Sequence, residues 1–155
     1  MSAHRIGILS DTHGLLRPDA MEALIDVEHI IHAGDVGDPD ILKTLKSIAP
    51  VTAVRGNVDI GPGLSDLPLT EVLQIGDVSI YVIHIIHTLD INPRATGCHA
   101  VIFGHSHRPE VKEKDEVFYI NPGSMGPHRF GLPIAMAYLH IEGTRIEVEP
   151  LTFEP

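Results

Sequence analysis

Arg5-Ile6-Gly7-Ile8-Leu9-Ser10-Asp11-Thr12-His13 is an apolar run that stops on a carboxylate and an imidazole two residues apart. A short continuous apolar run reads as a strand buried on both faces. The layout recurs along the chain. Ile30-Ile31-His32-Ala33 leads into Gly34-Asp35, and Val51-Thr52-Ala53-Val54-Arg55 leads into Gly56-Asn57. Ala100-Val101-Ile102-Phe103 leads into Gly104-His105-Ser106-His107, two imidazoles flanking one residue. Between the first three runs lie two helical patterns. Residues 18–27 carry Pro18 in the first turn and Met21, Leu24 and Ile25 on one face. Asp38 is a candidate N-cap with Pro39 at the first helical position, ahead of the stripe Ile41, Leu42, Leu45 and Ile48. The order βαβαβ predicts parallel strands with right-handed crossovers. Ligands then gather at the carboxyl ends of the strands, where these polar residues fall.

Beyond residue 55 the pattern changes. Residues 56–68 are rich in Gly, Pro and Asp and read as a loop. Residues 70–75 and 78–84 are strands joined by the hairpin signal Gly76-Asp77. Residues 100–104 form another strand, and 110–112 with 117–120 a second hairpin across Lys114-Asp115. Residues 121–133 are a long Gly/Pro loop, and such loops are often functional. Residues 134–141 and 144–151 pair across Glu142-Gly143. A parallel half followed by hairpins predicts two packed, mainly mixed β-sheets flanked by helices.

The bulk numbers narrow the classes. A chain of 155 residues suits a single domain spanning 1–155. A hydrophobic fraction of 43% fills one core, and 21% charged residues argues against disorder. No run reaches the ~18 apolar residues of a membrane span, so no membrane partner is expected. Met1-Ser2-Ala3-His4 leads straight into a strand, which gives no sign of a leader segment. The one cysteine, Cys98, reads as a small core residue and fits a cytoplasmic location. A net charge of −10 with only 11 scattered Lys and Arg makes nucleic acid a poor partner. A small anionic substrate is still allowed, because bound divalent cations would offset the charge locally. The apolar hairpins offer an edge that a homo-oligomer, dimer or tetramer, would bury.

Seven positions carry the chemistry: Asp11, His13, Asp35, Asn57, His84, His105 and His107. Singly, each has an ordinary explanation. A histidine after a strand is usually hydrogen-bonded, an Asp caps a turn, and an Asn beside Gly makes one. Jointly, oxygen and imidazole donors at several strand ends suit a cluster of divalent metals, and the reading is a metal-dependent hydrolase. A donor set without thiolate suits Mn²⁺, with Fe, Zn²⁺ or Ni²⁺ as alternatives, and argues against structural zinc.

The motifs Asp11-Thr12-His13, Gly34-Asp35, Gly56-Asn57, His84 and Gly104-His105-Ser106-His107 resemble, in order, those of the calcineurin-like metallophosphoesterases. Gly56-Asn57-Val58-Asp59 and Asn121-Pro122-Gly123-Ser124 resemble its small bacterial and archaeal phosphodiesterase branch. The resemblance runs from residue 5 to about residue 140. It implies a four-layer αββα sandwich and two divalent metal ions. Asp11, His13 and His107 would hold one metal, Asn57, His84 and His105 the other, and Asp35 would bridge them. Two metals ~3.5–4 Å apart would activate a hydroxide that attacks phosphorus in line. The candidate catalytic set is Asp35 and Asn57, which the resemblance implies, with Arg129 added from its place in the long loop. Arg129 in the long loop is a candidate phosphate clamp, weighed against a solvated loop arginine.

Two departures matter. Much of the superfamily has His, a candidate general acid, where this chain has Val58. His84-Ile85-Ile86-His87 replaces the common His-Gly-His, so His87 is left out of the ligand set. Asp59 is an alternative proton donor, although a turn carboxylate is the favoured reading. His32 and Asn121 are placed to hydrogen-bond to the ligands, and for His32 a packed strand histidine weighs as much. Hydrolysis of small phosphodiesters is the expected activity. Phosphomonoesterase or nucleotide pyrophosphatase activity is the alternative, and a non-catalytic scaffold on the same fold is the third reading.

Overall fold

The computed structural model describes residues 3–129 and 131–155. Strands β1 (Ala3–Leu9), β2 (His29–His32) and β3 (Val51–Ala53) run parallel, joined by helices α1 (Pro18–Ala23) and α2 (Pro39–Lys46). After β3 come β4 (Thr70–Ile75), β5 (Val78–Ile83), β6 (Ala100–Ile102), β7 (Glu110–Lys114), β8 (Val117–Asn121), β9 (Ile134–Glu142) and β10 (Arg145–Phe153). They form two five-stranded sheets, ordered β10-β9-β1-β2-β3 and β4-β5-β6-β8-β7. Both are mixed. Strands β5, β6 and β8 are parallel, with β4 and β7 antiparallel at the edges.

The apolar runs of β1, β2 and β6 are buried on both faces, whereas β3 lies at a sheet edge and is only half-buried. Ile6, Ile8 and Ile31 meet Ile80, Val82, Ile102 and Ile120 between the sheets. Leu9 and Ile30, on the other face, pack under Leu24, Ile41, Leu42 and Leu45. Helix α2 starts where the side chain of Asp38 accepts the Asp40 N–H at 2.9 Å. Burying its Ile41, Leu42 and Leu45 is worth roughly 5–9 kcal/mol at about 1.5–3 kcal/mol per side chain.

Three details differ from expectation. Helix α1 ends at Ala23 rather than at residue 27. Its apolar spacing continues because Leu24 and Val27 both fill the space over Gly7, but in a turn. The β7–β8 hairpin turns on Asp115-Glu116, both with positive φ, as a two-residue primed turn requires. Both α-helices cover the first sheet. The outer face of the second is closed by the chain between β5 and β6, helical only over the 3-10 turn Ile86–Thr88, which packs Ile86, Leu89 and Ile91 on Val101 and Phe103. Pro93 and Gly97 break any longer helix there. Among the described residues no helix is long and apolar enough to cross a membrane.

Candidate metal centre

Six parallel strands end at one rim, and the turns that follow them are laced together. Asp11 N–H donates to the Gly34 carbonyl at 3.0 Å and His13 N–H to that of Asp35 at 2.9 Å. Gly104 N–H donates to His84 O and Met125 N–H to Ser10 O, which joins the turns of one sheet to those of the other. The lacing is tight enough to exclude a methyl group at the motif glycines. A Cβ on Gly104 would overlap Ser10 Oγ and Asp11 Oδ2, and one on Gly56 would overlap the Asp35 backbone N.

Two triads result. Asp11, His13 and His107 bring one ligand atom each within 4.8 Å of the others, and so do Asp35, His84 and His105. Asp35 Oδ2 lies between the triads, 3.5 Å from His13 Nε2 and 3.1 Å from His84 Nε2. Asp11 Oδ1 is 3.4 Å from His107 Nε2, 3.6 Å from His13 Nε2 and 3.9 Å from His84 Nε2. Asn57 is exposed and lines, with His84, a cavity of about 580 Å³. Of the seven positions, Asp11, His13, Asp35, His105 and His107 have left-handed backbones, with φ of 55°, 47°, 57°, 74° and 64°. Such a conformation costs an L-residue about 1–2 kcal/mol and tends to collect at functional sites.

Each carboxylate has one oxygen pinned and one presented. Asp11 Oδ2 accepts from Ser10 Oγ (2.7 Å) and His105 N–H (3.1 Å). Asp35 Oδ1 accepts from Val58 N–H at 2.9 Å. The His84 Nδ1–H donates to the Ala33 carbonyl at 2.7 Å. That bond leaves the lone pair of a neutral His84 on Nε2, facing the carboxylates.

The electrostatics favour positive charge at this point. Burial alone would raise the Asp11 pKa, but the bonds from His107, His13 and Ser10 and the nearby His84 hold it well below the carboxylate range. Asp35 is also lowered, with burial outweighed by His84 and the Val58 N–H. His84 is raised: burial opposes its charge, but Asp35, Asp11 and the Ala33 carbonyl favour it more. Asp11 Oδ1 and His84 Nε2 are nevertheless buried with no hydrogen-bond partner among the described residues. Orphaned acceptors in a set of nitrogen and oxygen donors without thiolate fit divalent cations.

The neighbours of the motifs divide between supports and bystanders. His32 is buried and fully partnered: Gly34 N–H donates to its Nδ1 at 3.2 Å, and its Nε2–H donates to Thr12 Oγ1 at 3.0 Å. It braces the turns beside the candidate ligands rather than those side chains themselves, and burial pushes its pKa down to about 4. Asn121 Nδ2 donates to Gly104 O and Ser106 Oγ, holding the His105–His107 turn. Asp59 is 1% exposed and accepts from Gly37 N–H at 3.0 Å and Gly56 N–H at 2.8 Å. That is the turn carboxylate, with both oxygens occupied. Arg129 is exposed, and among the described residues its guanidinium makes no hydrogen bond or ion pair with the triads. His87 faces a separate cavity with Phe103 and Lys112. Cys98 is buried on the outer face of the second sheet. His4, His99 and His140 bond to Glu28, Ser79 N–H and Glu149.

Sequence reasoning passed over two supports. Ser10 fixes Asp11, and Ser124 Oγ donates to the Asp11 carbonyl at 3.0 Å. Both stand inside stretches that drew notice, Ser10 before Asp11 and Ser124 at the end of Asn121-Pro122-Gly123-Ser124.

The model of the calcineurin-like phosphoesterase superfamily domain matches residues 5–144. A probable metallophosphoesterase of Methanothermobacter thermautotrophicus is 34% identical over 160 residues, 93% of this chain and 90% of that protein. A phosphodiesterase of Methanocaldococcus jannaschii is 29% identical over 83% of this chain and 89% of its own length. A solved structure described as a novel archaeal phosphodiesterase superposes with a TM-score of 0.81 at 27% identity, over 96% of this chain and 99% of that one. With its fold and its five ordered motifs, the chain belongs to the calcineurin-like phosphoesterase superfamily.

Proposed function

We propose that this protein hydrolyses phosphodiesters with two divalent cations, Mn²⁺ the favoured metal. The observation that carries the reading is the pair of triads sharing one rim, with Asp35 Oδ2 within 3.5 Å of both. Asp11, His13 and His107 would hold one cation, His84, His105 and Asn57 the other, and Asp35 would face both. Bound cations supply charge for the developing phosphoryl oxygens and a water of lowered pKa. The Asn57 amide offers an oxygen without adding negative charge, so two carboxylates serve the whole set and an anionic substrate is not repelled. The Ala33 carbonyl fixes the His84 tautomer that presents Nε2.

Val58 leans the reading towards diesters with good leaving groups. It follows Asn57 at the position where much of the superfamily carries His, a candidate general acid, and an isopropyl side chain has no proton to give. Asp59 is engaged by two backbone N–H groups and does not replace it. The departing arm then leaves as an anion or takes its proton from water, which suits acidic alcohols. The similarity to proteins named phosphodiesterases supports the same choice. The test has two parts. Metal content of protein purified without chelators should show bound divalent cations. Mn²⁺-dependent hydrolysis of aryl phosphodiesters should exceed that of aryl monoesters and fall by at least 100-fold in Asp35→Asn, on the scale of removing a main charge-stabilising group. An Asp35→Asn protein with unchanged turnover would overturn the reading.

A further inference from the structure

We propose that the cavity beside Asn57 and His84 is the subsite for one ester arm of the substrate, and that the arm is a nucleoside-sized heterocyclic group. This deepens the phosphodiesterase reading and rests on it. The cavity holds about 580 Å³, more than the roughly 450 Å³ beside His87, and it opens directly onto two candidate metal ligands. A phosphoryl group alone leaves most of that space empty, whereas pockets of about 300–1,000 Å³ suit whole small molecules.

Its walls say what would fill it. Leu69, Ile83 and the Tyr81 side chain supply apolar surface. Leu69 is 60% exposed at the mouth, a large apolar side chain left in water beside a charged centre. Polar groups sit among them. Arg55 spends one guanidinium nitrogen on the Ser65 carbonyl at 3.0 Å, and its remaining N–H groups have no side-chain partner among the described residues. The Asp90 carboxylate makes no hydrogen bond or ion pair among the described residues. The Thr88 hydroxyl is already committed to Ile85 O. One free acceptor and one free donor group over an apolar wall match a ring system with N–H donors and carbonyl or ring-nitrogen acceptors on its edge. A plain alkyl arm leaves both without partners. A second phosphate would meet Asp90 as well as Arg55, so a polyphosphate arm gains little.

Thymidine 5′-monophosphate and methyl phosphate present the same phosphate with and without such an arm. Their affinities for the Mn²⁺-loaded protein, by calorimetry, read the subsite without turnover. Thymidine 5′-monophosphate should bind at least tenfold tighter to the wild-type protein. In the double variant Leu69→Ser/Asp90→Ala, both positions exposed and outside the core, that preference should fall at least fivefold, and KM for thymidine 5′-(4-nitrophenyl) phosphate should rise by a similar factor. Ile25→Ser, an exposed apolar residue outside the cavity, should leave the preference as it is. Equal binding of the two ligands by the wild-type protein, or a preference that survives the double variant, overturns the subsite. A protein that keeps the preference but hydrolyses no diester refutes the phosphodiesterase reading instead.

Discussion

His32 makes stability depend on pH in a way that can be isolated. The ring is fully buried, its Nδ1 takes the Gly34 N–H, and its Nε2–H reaches Thr12. A second proton has nowhere to go without breaking the Gly34 bond, and burial penalises the charge it would bring. The folded pKa is accordingly lowered to about 4, against about 6.5 for a free histidine. Between those two values the unfolded chain binds a proton that the folded one refuses, so stability is intact above pH 6.5 and falls as the pH drops towards 4. Linkage puts the loss at about 2 kcal/mol from pH 7 to pH 5 and about 3 kcal/mol by pH 4. His32→Gln removes the titration, and at pH 7 it costs roughly 1–3 kcal/mol for the disrupted hydrogen bonds. Urea unfolding of both proteins at pH 7, 6 and 5, in chelator so that metal release adds no pH dependence, gives the difference directly. The gap between them should shrink by about 2 kcal/mol at pH 5. A gap that stays constant with pH would refute the reasoning, because it would mean that His32 titrates alike in both states.

Gly104→Ala should weaken Mn²⁺ binding at least tenfold by calorimetry while the protein stays folded, because the new Cβ displaces Ser10 and Asp11 and not the core. Asp59→Asn should lower stability by about 2 kcal/mol in urea melts, since an amide nitrogen then faces a backbone N–H. The same variant should leave the alkaline limb of the pH–rate profile where it is, and a shift of that limb would make Asp59 the acid after all. Val58→His should raise turnover of alkyl phosphodiesters relative to aryl ones, with the ratio of the two initial rates as the measurement, because only poor leaving groups need the proton.

The legible parts of the fold were those written locally. Doubly buried runs such as Ile30-Ile31 mark central strands, and Gly76-Asp77 and Glu142-Gly143 mark hairpins. Strand order was not legible. That β9 inserts beside β1, so that Leu139 faces Ile6, is a long-range pairing with no local trace. The apolar spacing predicts a longer α1 than forms, because Leu24 and Val27 keep a helical spacing for a packing reason. The candidate ligands could be picked out because they sit in short motifs, and the fold gathers six of them into two triads. What each backbone does there was not legible: nothing in Asp-x-His or Gly-His-x-His announces a left-handed φ at Asp and His. The supports were the hardest to read. Ser10 and Ser124 act through single hydrogen bonds to Asp11, and a serine in a turn looks the same whether it holds a ligand or only its own loop.

Those left-handed residues set thermostability against activity. Glycine at Asp11, His13, Asp35, His105 or His107 would relax a turn that an L-residue holds under tension, and would erase a candidate metal ligand in the same stroke. On the proposed metal-dependent reading, heat-resistant variants built by placing glycine at these positions would gain stability at the expense of activity.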